Sequence, residues 1–223
     1  MLQNLEVDNL MALFQRVPTQ YKQNLPYSIS FTTKNILVIG LGNPGKSYDL
    51  TRHNAGFNAV DAFAKTNEFT EFVDNKKFKG LVSEKTMGPA KVILLKPNTY
   101  MNLSGESAQA LANFYRIESA NIVAIYDEVS IPFGQIRSRV GGQSAGHNGV
   151  KSLIEHLGPD FGRIRIGIKN AITPKAETSD FVLGKFTKEE QVHAAEIYNE
   201  VSGILTEYIY GENLPIDTRK IIL

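Results

Sequence analysis

Cysteine and tryptophan are absent from all 223 residues. Without thiols there are no disulfides, thiolate zinc sites, iron–sulfur clusters or cysteine nucleophiles. Histidine is scarce: His53, His147, His156 and His193 are the four. No two have the spacing of a zinc-binding H-E-x-x-H helix, so a His-rich metal site is not expected. No apolar run nears the roughly 20 residues of a membrane span, so no membrane partner is expected. Repeats and low-complexity tracts are missing too. What remains is globular in composition, with 42% hydrophobic and 21% charged residues. At about 150 residues per domain the chain is long enough for one ample domain.

Residues 1–34 contain no Gly and are rich in Gln, Asn, Tyr and Ser. They read as an amino-terminal extension, docked or mobile, ahead of a domain over 35–223. Val7–Phe14 fits a short amphipathic helix capped by Asp8 or Asn9. Transit peptides are rich in Arg and poor in acids. This segment has one Arg, together with Glu6 and Asp8, so organellar import draws little support and the cytoplasm is the expected location.

The net charge of +1 hides an asymmetry. Between Ile131 and Asn170 stand Arg137, Arg139, Lys151, Arg163, Arg165 and Lys169 against Glu155 and Asp160. Between Lys175 and Asn213 acids dominate. A neutral chain of this kind carries a basic face suited to a polyanion, although an ordinary solvated surface fits the same counts.

From Asn35 the pattern alternates β and α. Ile36–Ile39, Val92–Leu95 and Ile122–Tyr126 are short apolar runs, as in strands buried on both faces. Asn54–Lys65, Ser104–Tyr115 and Gly149–Leu157 read as helices. A longer helix should begin at the capping box Thr187–Glu190 and run to about Tyr210. Arg163–Ile168 alternates base and Ile, which predicts one buried and one positive face. The expected fold is a single α/β domain, a mixed twisted central sheet with helices on both faces. Ligands of such sheets sit beyond the carboxyl ends of the strands. Gly40–Gly45, Lys96–Asn102 and Asp127 all follow strand ends and should converge there.

Two motifs point elsewhere. Gly40-Leu41-Gly42-Asn43-Pro44-Gly45 satisfies G-x-G-x-x-G, with Asp61 the expected distance beyond it. Asp61, however, lies in a helical pattern rather than at the end of a second strand. Gly142-Gln143-Ser144-Ala145-Gly146 satisfies G-x-S-x-G, with Asp180 and His193 following in hydrolase order. Ile136–Val140, before it, is too polar for the buried strand that supports a nucleophile elbow. A serine esterase built on Ser144 stays open as a rival.

Three longer segments outweigh these: Gly40–Gly45 with Tyr48 and Thr51-Arg52-His53-Asn54-Ala55-Gly56; Lys96-Pro97-Asn98-Thr99-Tyr100-Met101-Asn102-Leu103-Ser104-Gly105; and Asp127 with Pro132-Phe133-Gly134, Arg137-Ser138-Arg139 and Gly146-His147-Asn148-Gly149-Val150-Lys151-Ser152. In this order they resemble the bacterial-type peptidyl-tRNA hydrolases, over about residues 35–210. The resemblance implies a monomer that hydrolyses the ester joining a peptide to the 3′ ribose of tRNA, without metal or cofactor. The expected partner is peptidyl-tRNA, through its acceptor stem and its peptide. An RNA-binding descendant of the family that does not cleave remains an alternative.

The residues fit that chemistry. Ester hydrolysis by water needs a base near neutral pH, and His53 is the natural candidate, with Asp127 to orient it. A local capping or turn role fits each of them as well. The resemblance assigns Asn102 to the water and the oxyanion, and Asn43, Tyr48, Tyr100, Met101 and Asn148 to the substrate. An Asn amide can donate and accept without adding charge. Asn102 or Ser104 could instead cap the helix at 104–115, and Asn148 the next one. Arg139 and Arg165 match phosphate-gripping positions of the family. Lys151 lies in the first turn of a helix whose free N–H groups favour phosphate. Two residues depart from the family pattern. Gln143 replaces a small residue, and Ala145 replaces a Gly. If position 145 needs positive φ, Ala costs about 1 kcal/mol.

Overall fold

The first apolar run is the middle of the sheet. The computed structural model describes residues 34–173, 179–211 and 213–221, so the expected Val7–Phe14 helix lies outside the described residues. The strands are β1 (Lys34–Gly40), β2 (Val73–Asn75), β3 (Gly80–Met87), β4 (Ala90–Pro97), β5 (Ile122–Pro132), β6 (Gln135–Val140), β7 (Gly162–Lys169) and β8 (Thr218–Lys220). The helices are α1 (Ala55–Thr66), α2 (Ser104–Tyr115), α3 (Asn148–Leu157), α4 (Ser179–Leu183) and α5 (Lys188–Tyr210). The strand order is β2-β3-β4-β1-β5-β7-β6-β8. β4, β1, β5 and β7 run parallel, and antiparallel strands flank them on both sides. The mixed sheet expected from the sequence is the one observed.

Alternation along β1 divides the core. Ile36 and Val38 pack with α1 and α5, whereas Leu37 and Ile39 pack with α2 and α3. A strand covered on both faces must be apolar at every position, which is why these runs lack the polar alternation of a half-exposed strand. Thr187 and Glu190 form the capping box that starts α5.

One close approach places the functional end of the sheet. A Cβ on Gly56 would lie 2.2 Å from the Ile125 carbonyl oxygen and 2.6 Å from the Leu41 nitrogen. A Cβ on Gly40 would lie 2.6 Å from the Gly56 oxygen. Both positions therefore require glycine for contact rather than for backbone conformation. The pair lets α1 begin directly against the ends of β1 and β5, and the 3-10 turn Arg52–Asn54 precedes it over the carboxyl edge.

Three sequence expectations change. Asp127 lies inside β5, which continues to Pro132 through an irregularity in its pairing with β7 between Glu128 and Pro132. Ile136–Val140 is a strand after all. In β6, Ile136 and Ser138 are buried while Arg137 and Arg139 are half-covered, and an antiparallel strand near a sheet margin needs only one apolar face. Arg163 is the largest departure. It belongs to the face expected to be positive and solvated, yet it is fully buried. Its guanidinium donates to the carbonyls of Gln143 (2.7 Å), Pro159 (3.2 Å) and Gly142, and its central carbon lies 4.6 Å from the Phe161 ring centroid. A buried cation needs this kind of full engagement. The result is that the loop leading into α3 is anchored to β7.

Ala145, in that loop, has φ +49°. The strain anticipated for a side chain at this position is therefore present. Ala145→Gly should raise the unfolding free energy by about 0.5–1 kcal/mol, the relief being partly offset by glycine's larger unfolded entropy. Urea titration measures this, and a drop in stability would mean that the methyl group makes a contact worth more than the strain.

Candidate active site

Beyond the carboxyl ends of β1, β4 and β5 opens a cleft of about 920 Å³. It is lined by Asn43 after β1, by Tyr100, Met101 and Asn102 after β4, and by Asp127, Glu128 and Val129 of β5. His53, Ala145–Asn148 and the α4 residues Ser179, Val182 and Leu183 complete it. The three expected segments do converge.

Asp127 is 2% exposed. Its Oδ1 lies 2.9 Å from His53 Nδ1 and 3.2 Å from His147 Nε2. The hydrogen-bond network assigns both tautomers. The Val150 N–H donates to His147 Nδ1 at 3.3 Å, so His147 caps α3 with an unprotonated Nδ1 and gives its Nε2 proton to Asp127. His53 likewise donates from Nδ1, which leaves the lone pair on its Nε2 for a proton from water.

The charges follow from this arrangement. Burial opposes protonation of His53, but the charge of Asp127 and their hydrogen bond outweigh it, and the imidazole pKa rises above 6.5. Burial alone would push the Asp127 carboxyl up. The two histidines outweigh that penalty and hold it well below the usual carboxylate range. His53, Asp127 and His147 present ligand atoms within 4.8 Å of one another. Both imidazoles, however, spend the nitrogens nearest Asp127 as donors. A cation there would have to displace both protons and break the α3 cap, so the donor set suits hydrogen bonding better than metal.

The asparagines are held in different ways. Asn43 N–H donates to Asn54 Oδ1 (2.8 Å), and Asn54 Nδ2 donates to the Asn43 carbonyl (3.0 Å). The Asn43 Oδ1 accepts from the Met101 N–H at 2.9 Å, which leaves Nδ2 for a ligand. Asn102 and Asn148 are exposed on the cleft. The capping alternatives do not hold: Leu103 precedes α2 with no side-chain cap, Ser104 Oγ donates back to the Met101 carbonyl, and His147 rather than Asn148 caps α3.

Other expected residues lie outside the lining. Tyr48 is not on the cleft wall, although its ring meets that of Tyr100 edge-on at 6.5 Å. Arg139 and Arg165 sit on neighbouring strands, opposite Arg163 and Arg137 respectively. Burial and the Arg139 charge both lower the Arg165 pKa. Lys151 is exposed in the first turn of α3.

The rival motifs do not assemble. Ser144 meets His147 through its carbonyl, which accepts the His147 N–H, while His193 Nδ1 is 3.8 Å from Glu196 on α5. Asp61 is within α1 and pairs with Lys96 at 2.5 Å, so the dinucleotide fingerprint lacks its strand-end acid.

Sequence reasoning gave His147 no role. Its signal was its place between a Gly and the start of a helix, where the cap residue of α3 had to be. Glu128, Val129, Val182 and Leu183 were also missed, because none of them belongs to a motif.

The peptidyl-tRNA hydrolase family model matches residues 37–218. The chain belongs to the peptidyl-tRNA hydrolase family. It is 46% identical over 178 residues to a peptidyl-tRNA hydrolase of Clostridium perfringens, covering 79% of this chain and 92% of that one. A Clostridium botulinum peptidyl-tRNA hydrolase is 45% identical, with 78% and 88% covered. Among solved structures, a mutant peptidyl-tRNA hydrolase from Acinetobacter baumannii superposes with a TM-score of 0.75 at 37% identity, covering 81% of this chain and 91% of that one.

The Asp127–His53 bond has a measurable sign. His53 is charged more readily folded than unfolded, so its contribution to stability is complete below 6.5 and is lost as pH rises through the higher folded value. NMR titration of the His53 Cε1–H should show an inflection above 6.5, and Asp127→Asn should move it down, because burial then acts without the opposing charge. An unchanged inflection in the variant would show that Asp127 does not control the imidazole.

Proposed function

We propose that this chain hydrolyses the ester between peptide and 3′ ribose in peptidyl-tRNA, recycling tRNA from prematurely released translation products. The observation that carries the reading is the buried Asp127 bonded to His53 in an asparagine-lined cleft, in a member of this family. In our reading His53 Nε2 takes a proton from water as the water attacks the ester carbonyl. Asp127 holds the ring and favours the imidazolium that forms. Asn102 holds the water and donates to the developing oxyanion, while Asn43 and Asn148 bind the peptide backbone. Tyr100 and Met101 flank the peptide, with Tyr48 behind Tyr100. Arg139 and Arg165, and Lys151 at the start of α3, take tRNA phosphates. These contacts give affinity without reading bases, as a broad tRNA substrate range requires. In this reading the protein works as a monomer in the cytoplasm.

A tRNA-binding protein without turnover is the competing reading, and the assembled His53–Asp127 pair favours hydrolysis. Release of deacylated tRNA from purified peptidyl-tRNA decides between them. His53→Ala should slow that release by about 10²–10⁴ while tRNA binding persists. Activity within a factor of two of the parent would falsify the role of His53.

Arg139→Ala and Arg165→Ala should raise KM with kcat nearly unchanged, the mark of uniform binding lost. The difference from the parent should fade with added salt, and a short ester lacking phosphates should be cleaved at the parent rate. Equal slowing of the short ester would place these arginines at the reacting end or in the fold instead.

A further inference from the structure

Arg52 precedes His53 in the chain, is 3% exposed, and does not line the cleft. Its surroundings are elaborate for a residue with no part in the chemistry. One guanidinium nitrogen donates to Glu190 Oε2 at 2.8 Å, and another reaches the Phe181 carbonyl at 3.5 Å. The guanidinium carbon lies 4.4 Å from the Phe181 ring centroid and 5.5 Å from that of Phe186. The Arg52 N–H donates to the Gly184 carbonyl, the Phe186 N–H donates to the Leu50 carbonyl, and Thr51 bridges Lys185.

These contacts tie two walls of the cleft together. On one side is the turn that carries His53. On the other is α4, whose Val182 and Leu183 form an apolar part of the lining. The partner carboxylate is fixed independently of Arg52. Glu190 Oε2 also accepts the Thr187 N–H in the capping box, and its Oε1 accepts from Asn170 Nδ2 at 2.6 Å, just beyond β7. The ion pair therefore references both walls to the start of α5 and the end of β7.

We propose that Arg52 is a positioning residue that holds the His53 turn and the α4 wall bearing Val182 and Leu183 at one spacing, so that the residue bearing the scissile ester is gripped where the base reaches it. The proposal rests on the peptidyl-tRNA reading for its substrate. Its physical basis is the planar fork of Arg, which can pair with a carboxylate and stack on two rings at once. A lysine ammonium keeps the charge but neither the fork nor the stacking. Misplacement of reacting groups by about 1 Å can cost on the order of 10²-fold in rate.

Two variants test it. Arg52→Lys keeps the charge, and the double variant Arg52→Met with Glu190→Leu leaves no buried unpaired ion. Each is assayed for melting temperature and for kcat and KM on N-acetyl-phenylalanyl-tRNA and N-acetyl-glycyl-tRNA. His53 and Leu183 side-chain NMR signals are recorded, with His156 of α3, on the other face of the sheet, as a control. In folded variants kcat should fall about tenfold to hundredfold. The preference between the bulky and the glycyl ester should narrow, and the pH inflection of His53 should stay, since Asp127 is untouched. The His53 and Leu183 signals should both move while that of His156 does not. The proposal is overturned if folded variants keep kcat and preference within twofold of the parent. It is equally overturned if activity falls only in step with the folded fraction, or if neither variant folds. A parent without turnover on either ester would remove the functional reading instead. In that case unmoved His53 and Leu183 signals would still overturn the role of Arg52.

Discussion

A carboxylate sealed from water sets the terms for this molecule. Asp127 would not remain ionised in its surroundings without donors aimed at it, and the donors are two imidazoles that share one oxygen. Each arrives from a different part of the chain. His53 is delivered by the turn ahead of α1, which reaches β5 only because Gly40 and Gly56 allow backbones to touch. His147 is delivered by α3, whose first turn it caps. The loop before it is tied down by the buried Arg163. Helix placement, glycine contact and a buried cation thus serve one charge. That charge in turn makes His53 a stronger base than a free imidazole.

The cleft and the basic face divide recognition by chemistry. Inside, neutral amides of Asn43, Asn102 and Asn148 offer hydrogen bonds without adding charge near Asp127. Outside, Arg139 of β6 and Arg165 of β7 stand on neighbouring strands, with Arg137 opposite Arg165 and the buried Arg163 opposite Arg139. Burial, and after it the neighbouring arginine charges, lower the pKa of Arg163 and of Arg165. The phosphate contacts proposed for Arg139 and Arg165 would offset the repulsion between these charges.

The parallel centre of the sheet was legible because strands buried on both faces are uninterrupted apolar runs, and Ile36–Ile39, Val92–Leu95 and Ile122–Tyr126 stand out for that reason. The antiparallel flanks were harder. β6 reads as polar because only Ile136 and Ser138 face inward. The location of the site was legible too, since its segments follow strand ends. The function of His147 was not, because a cap and a carboxylate partner are separate uses of its two ring nitrogens, and only coordinates join them. Arg163 misled for a related reason. Alternation assigns a side chain to a face of the sheet, but it does not reveal that the loop at Gly142 and Gln143 folds over that face. The resemblance carried the asparagine roles, which spacing alone does not distinguish from capping.

The final strand has a consequence for how the molecule is made. β8 pairs with β6, and Arg219 in it is held by Glu200, Glu207 and Asp217. β6 is synthesised well before Thr218–Lys220, so a nascent chain leaving the ribosome carries β6 with its outer backbone groups unpaired until β8 emerges. Unpaired edges of this kind invite pairing with other chains. The half-covered charges of Arg137 and Arg139 lie on this strand. They repel a second copy from the open edge during the interval in which the protein cannot yet close it.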